Sequence, residues 1–170
     1  FNVIDNFLSN DELNKIKNNS IHDESFPLYY TSQVSGHKVE GNDDYWNYYF
    51  AHVFYDNDEI KSHCYIDSIY KIFIPKFKKI YPFKSLLRIK LNFYPYTEKL
   101  KEHEQHYDSS FSHYGAVFSL NTCDGFTRLE DGTKIDSIEN RILFFDASLE
   151  HNSSTTTNSS GRWNINFNFL

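Results

Sequence analysis

The chain has 170 residues, enough for one domain with a substantial core, and carries a net charge of −6 with a pI near 5.7. That acidity argues against a protein whose main task is gripping nucleic acid, and no apolar run approaches membrane-spanning length. Aromatic residues make up 18%, so material for a core is plentiful, while Cys64 and Cys123 are too few for a disulfide framework and suit a reducing compartment.

The opening Phe1-Asn2-Val3-Ile4-Asp5 reads as neither a signal nor a transit peptide, and its lack of Met as a trimmed start; a cytoplasmic location is expected. Ser9-Asn10-Asp11-Glu12 fits a capping box opening a short helix that buries Leu13 and Ile16. Residues 25 to 55 read as irregular. They hold an aromatic run, Tyr45, Trp46, Tyr48, Tyr49 and Phe50, which is either core or a lid over a site. A second helix is expected from Asn57 or Asp58, with Ile60, Cys64, Ile69 and Phe73 near helical spacing and Pro75 ending or bending it.

From Leu86 the period changes to two: Leu87, Ile89, Leu91 and Phe93 alternate with Arg88, Lys90, Asn92 and Tyr94. Further short strands are expected over 113–122, 126–130, 134–138, 141–146 and 161–170, with Asp131-Gly132 as a hairpin turn. Short strands at regular spacing imply a sandwich or barrel, here a mainly β jelly roll with N-terminal helices packed on its major sheet. Residues 1–170 read as a single domain: 1–85 a helical and mixed support, 86–170 the β core. In the last strand Trp163, Ile165, Phe167 and Phe169 face one way, and Arg162, Asn164, Asn166 and Asn168 the other. Either one face is simply wet, or the apolar row meets the helices and the polar row lines the barrel interior.

His106-Tyr107-Asp108 carries the chemistry. A His and an Asp two apart project from one side of an extended segment, and a distant second His can complete a three-ligand face on one metal. Such a 2-His-1-carboxylate set leaves positions open on a non-haem Fe(II). Alone the motif is weak, since 8 His and 13 Asp in 170 residues produce roughly 0.6 His-x-Asp occurrences by chance. The context strengthens it: His106 and Asp108 follow one expected strand and precede five. His151 comes 43 residues after Asp108, and Arg162, one of only four arginines, follows 11 later at the start of the final strand. An Arg so placed offers a bidentate cation for the far carboxylate of a dicarboxylic co-substrate. His22-Asp23-Glu24 also fits a His-x-carboxylate pattern but precedes the β-rich half and reads as a surface loop.

The order and spacing of these residues resemble the Fe(II)/2-oxoglutarate-dependent oxygenases, and prolyl 4-hydroxylase-like members of small phage type in particular. The likeness runs from Arg88 to the C-terminus and includes Tyr94-Pro95 ahead of the His-x-Asp, the segment 121–132 and Phe144-Phe145-Asp146 before His151. It implies a double-stranded β-helix core in which His106, Asp108 and His151 bind Fe(II) and form the catalytic centre. It implies 2-oxoglutarate anchored by Arg162, with Tyr94 reaching the same carboxylate. Asn164 stands where many members carry a small hydroxyl residue and is the third candidate co-substrate ligand. The implied activity is a dioxygenase reaction consuming dioxygen and 2-oxoglutarate, with ascorbate as a candidate auxiliary reductant and hydroxylation as the default outcome. A prolyl or other protein side chain is the first substrate class, a small molecule the second, and a modified nucleobase the third.

Other readings are weaker. His103 and His106 at i, i+3 lack the partners of a zinc site, and His113 is a candidate for a supporting role or a strand edge. No Gly-x-Ser-x-Gly elbow or phosphate-cradling glycine loop occurs. The alternatives to an oxygenase are a jelly-roll binding module with a vestigial metal site, or a cupin-like metal enzyme that does not use 2-oxoglutarate; Arg162 argues against the latter.

Overall fold

A computed structural model describes residues 1–35 and 45–170. In chain order the elements are β1 (Asn2–Ile4), α1 (Asn10–Asn18), β2 (Tyr29–Thr31), β3 (Tyr49–Asp56), β4 (Glu59–Ile60), α2 (Ile66–Ile80), β5 (Leu86–Pro95), β6 (Tyr114–Ser119), β7 (Phe126–Leu129), β8 (Lys134–Asp136), β9 (Ile142–Asp146), β10 (His151–Ser153) and β11 (Gly161–Phe169). The major sheet runs β1-β9-β6-β11-β5-β3-β2, with β4 paired to β3; the minor sheet runs β10-β7-β8. All these pairings are antiparallel, and two facing sheets with helices on one side make a jelly roll. No helix among the described residues is long and apolar enough to cross a membrane.

Helix α1 starts as its sequence dictates. The Ser9 hydroxyl accepts from the Glu12 amide, and the Glu12 carboxylate accepts from the Ser9 amide at 2.9 Å, so two otherwise orphaned donors are satisfied. The second helix differs from expectation at both ends. Asn57 and Asp58 adopt positive φ (47° and 64°) and form the two-residue turn of a β3–β4 hairpin, a conformation that Asn and Asp tolerate. The helix begins only at Ile66. Nor does Pro75 end it: the chain stays helical to Ile80, with Pro75 on the exposed face, where a carbonyl left without its helical partner is open to solvent. Phe73, Ile74 and Phe77 on either side of it are buried.

Those aromatics explain where the core lies. Phe73 and Phe77 pack against Phe118, Phe144, Phe167 and Phe169 with ring centroids 4.7–5.4 Å apart. The apolar rows of β5, β6, β9 and β11 therefore face the helices. The alternate residues face the minor sheet across a smaller apolar cluster: Val117, Leu129, Leu143, Phe145 and Ala147. The second reading of β11 holds: the Arg162-Asn164-Asn166-Asn168 row lies inside the barrel, paired across the strands with Tyr94, Asn92, Lys90 and Arg88 respectively.

The stretch that reads as irregular contains β3, eight residues long and bonded directly to β5. A bulge between Val53 and Tyr55 breaks its alternation, which is why no clean period of two shows there. The polar stretch after His151 conceals β10, whose short length and Ser/Asn content give no strand signal. Gly161 opens β11 because the ring of Phe93 lies over it: an added Cβ would sit 1.9 Å from Phe93 Cε2. Gly161→Ala is expected to destabilise the protein by about 1–3 kcal/mol, read from the shift of its denaturant midpoint.

Candidate metal and co-substrate site

Strand pairing builds the first part of the site. The backbones of His106 and His151 exchange two hydrogen bonds of 2.9 Å, so the imidazoles project side by side with centroids 4.7 Å apart. Two residues on, the Asp108 amide donates to the Ala147 carbonyl at 3.0 Å, which fixes the Asp108 backbone beside the same pair. One donor atom each from His106, Asp108 and His151 lie within 4.8 Å of one another, a group that could hold a metal ion. The chemistry of the set fits a divalent transition metal: two imidazoles and one carboxylate, facing a cleft. His151 Nδ1 donates to the Leu149 carbonyl at 2.9 Å, which leaves Nε2 as its lone-pair nitrogen, 3.9 Å from Asp108 Oδ2. His106 Nδ1 lies 3.4 Å from the Glu104 carbonyl.

Asp108 is held on both oxygens. Arg88 donates to Oδ1 at 2.8 Å and Asn168 Nδ2 to Oδ2 at 2.8 Å, while Arg88 Nε also donates to Asn168 Oδ1 at 3.0 Å. Asn168 Nδ2 reaches His113 Nε2 at 3.2 Å, and the His113 Nδ1–H points to the Phe111 carbonyl at 2.9 Å. His113 thus supports the carboxylate through Asn168. Burial alone would raise the pKa of Asp108; the Arg88 and His151 charges and the bonds from Asn168 and Arg88 outweigh it and hold the carboxyl well below its usual range. Burial, then the His151 charge, pushes the pKa of His106 down, favouring the neutral imidazole a metal needs.

The depressed Asp108 pKa contributes stability that is fully present above the unfolded value, near ~3.9, and is lost as pH falls through the lower folded value. Arg88→Met is expected to raise that folded pKa, moving the acid-unfolding midpoint to higher pH. It is also expected to weaken metal binding by about 10–100-fold, the usual cost of losing an outer partner of a ligand, in a Zn(II) competition titration.

Arg162 forms the second part. It is 1% exposed and surrounded by neutral partners: it donates to the Phe126 carbonyl at 2.7 Å, Thr127 Oγ1 at 2.8 Å and Ser137 Oγ at 3.3 Å. Among the described residues no carboxylate pairs with it. Burial disfavours its charge and pushes its pKa down. Gly125 leaves it room, since an added Cβ would sit 2.8 Å from Arg162 Cδ. Tyr94 lies across the strand with its ring 5.8 Å from the guanidinium and stacks on Tyr49 at 5.6 Å. Its burial pushes the phenol pKa up to about 12, so the hydroxyl stays a donor. Asn164 Oδ1 accepts from Asn92 Nδ2 at 2.9 Å.

One cleft joins the two parts. It is partly open to solvent and is lined by the three metal-competent side chains together with Arg162, Tyr94 and Asn164. All six candidate residues of the sequence analysis therefore meet here, together with Tyr49 of the aromatic run. His103 does not join the metal-competent group. It is buried between Trp46 and Tyr94, at 5.4 and 5.2 Å, its Nδ1 bonded to Ser153, and burial pushes its pKa down to about 3. Arg88, Asn168 and Lys90 went unassigned in the sequence, although the interior rows of β5 and β11 name them.

No protein-family model matches the sequence, and no curated protein matches it. Solved structures do. A prolyl hydroxylase from Trichoplax adhaerens, in complex with a hypoxia-inducible-factor oxygen degradation domain peptide fragment, aligns with a TM-score of 0.69 at 13% identity, over 99% of this chain and 82% of that one. A 2OG-Fe(II) oxygenase-family oxidoreductase from Burkholderia pseudomallei gives 0.69 at 10%, over 98% and 83%. The fold is that of the 2-oxoglutarate/Fe(II) oxygenases. Prolyl hydroxylases are prominent among them: the collagen prolyl hydroxylase of Paramecium bursaria Chlorella virus-1, as its 2OG complex, gives 0.57 at 16%, over 99% and 93%. At such identities the oxygenase fold is what the likeness establishes.

Proposed function

We propose that the chain is an Fe(II)- and 2-oxoglutarate-dependent dioxygenase of prolyl 4-hydroxylase type. The observation that carries this is the buried Arg162 guanidinium, without a carboxylate partner among the described residues, in the same cleft as the His106-Asp108-His151 group. A buried unpaired cation costs free energy unless an anion joins it, and a planar guanidinium matches a carboxylate bidentately. The far carboxylate of 2-oxoglutarate supplies that anion, and the Tyr94 hydroxyl is a second donor beside it.

His106, Asp108 and His151 would hold the metal, with Arg88 and Asn168 fixing the carboxylate. Bound Fe(II) would supply dioxygen activation coupled to co-substrate decarboxylation, with the balance R–H + 2-oxoglutarate + O2 → R–OH + succinate + CO2. The residues around it orient: Arg162 sets the register of the co-substrate, and the walls of Val117, Tyr49 and Tyr94 limit water. A protein side chain is the first substrate class, supported by the peptide bound to the Trichoplax adhaerens relative, and a small molecule the second. A vestigial binding module or a metal enzyme without 2-oxoglutarate leaves Arg162 unexplained. The test is slow substrate-free turnover: Fe(II)-dependent succinate release from 2-oxoglutarate under air, abolished by His106→Ala. No succinate from folded, iron-loaded protein, even across a substrate screen, overturns the proposal.

A further inference from the structure

The cleft contains a second cation that the reading above does not use. Lys90 lies on the same interior face of β5 as Tyr94, four residues earlier and so about 13 Å back along the strand at the usual rise. Its Nζ has no carboxylate within ion-pair distance among the described residues. Its contacts are the Tyr49 hydroxyl at 3.4 Å and the Tyr49 ring, centred 5.2 Å away. Burial pushes its pKa down, so the charge is held at a cost. Directly across the strands stands Asn166, which also lines the cleft and whose buried Oδ1 has no hydrogen-bond partner.

Lys90 and Arg162 serve different ends of the cleft. Lys90 is within electrostatic reach of Asp108, Arg88 and His106, whereas the ionisable neighbours of Arg162 are Tyr94 and Cys123. Arg162 is therefore placed for the distal carboxylate of a co-substrate, and Lys90 lies beside the metal-competent face, where a second ligand would present its reacting carbon. We propose that Lys90, with the Tyr49 hydroxyl and Asn166, forms a substrate-anion subsite, so that the oxidised substrate carries a carboxylate that docks on Lys90. This rests on the dioxygenase reading and deepens it. The Lys90 ammonium and the Tyr49 hydroxyl donate to the carboxylate, and Asn166 Oδ1 accepts from an adjacent N–H or O–H, a pattern matching an amino or amide group next to the acid. The carboxylate comes either from a free amino acid or from an Asp or Glu side chain of a peptide.

Binding to the anaerobic Fe(II)·2-oxoglutarate complex tests this, read as a change in its visible band and by calorimetry. The probes are the free L-amino acids and acetyl-capped tripeptides with central Asp or Glu, each beside its carboxamide counterpart. At least one carboxylate probe is expected to bind, and converting its carboxylate to an amide should weaken it by about tenfold or more, as loss of a charge-assisted bond does. Lys90→Met should weaken that probe equally, leave 2-oxoglutarate affinity within about twofold and keep the melting temperature, while Lys90→Arg restores part of the binding. Which set binds identifies the free acid or the peptide as source. Unchanged probe affinity in Lys90→Met, a loss that falls on 2-oxoglutarate instead, or no binding by any carboxylate probe overturns the subsite. Absence of the band in the unsubstituted protein would sink the parent reading. Calorimetry of the same probes on Zn(II)-loaded protein would then judge Lys90 separately, with the same outcomes.

Discussion

Arg162→Met should fold with nearly unchanged stability and lose 2-oxoglutarate. The guanidinium is fully buried and bonded only to neutral oxygens, so its removal takes away a desolvated charge as well as hydrogen bonds to Phe126, Thr127 and Ser137. Those losses and gains oppose each other, and replacing a buried cation by an apolar side chain of similar length is often close to neutral; a change within about 1 kcal/mol is expected in denaturant unfolding. The co-substrate, by contrast, loses its bidentate partner in a dry pocket, worth about 3–5 kcal/mol, or a 2-oxoglutarate Kd raised by more than about 100-fold. Calorimetry against the metal-loaded protein measures the second effect. A folded variant that bound 2-oxoglutarate normally would remove Arg162 from the co-substrate's site.

The second large effect distinguishes the members of the metal-competent group. Asp108→Asn should weaken Zn(II) or Fe(II) binding by more than about 100-fold, since a carboxylate oxygen is replaced by a neutral amide at one of three positions. It should also destabilise the metal-free protein, because Arg88 loses its charged partner. Arg88 retains some access to water, so the cost is set at about 1–2 kcal/mol rather than the full penalty of a buried unpaired charge. His151→Ala should lose the metal to a similar degree without stranding a charge, because the His151 pairing to His106 runs through the backbone. Metal titrations and urea unfolding of the two variants, side by side, check the contrast. Equal stability would mean that the Arg88–Asp108 pair contributes nothing before metal binds.

The legibility of this molecule follows from the range of the forces involved. The β5 and β11 rows are written locally: alternation sorts Arg162, Asn164, Asn166 and Asn168 from Ile165, Phe167 and Phe169, and the apolar row joins the main core while Arg162, Asn164 and Asn166 line the cleft. Which row faced the helices was not local. It is decided by Phe73 and Phe77, whose ring partners Phe144, Phe167 and Phe169 lie 67 to 94 residues further along the chain, so no local window contains both sides of the contact. Apolar spacing that mimics a helix masks the Asn57-Asp58 turn, and Pro75 reads as a helix end because the exposed face it occupies is set only by the docking of α2. At the site, His106, Asp108, His151 and Arg162 were readable because order and spacing carry them. Arg88, Asn168 and Lys90 were not, since their roles depend on cross-strand register: Arg88 opposite Asn168, and Lys90 opposite Asn166.

On the proposed function one cleft holds Fe(II) and 2-oxoglutarate together, through the His106-Asp108-His151 group and Arg162. Anaerobic titration of the metal-free protein with Fe(II) and then 2-oxoglutarate, followed by visible absorbance, tests it most directly. The expected result is the charge-transfer band of a chelated complex, saturating with both components and absent from His106→Ala and Arg162→Met at the same concentrations. A folded, iron-loaded protein that gives no band, or a band indifferent to Arg162, would contradict it.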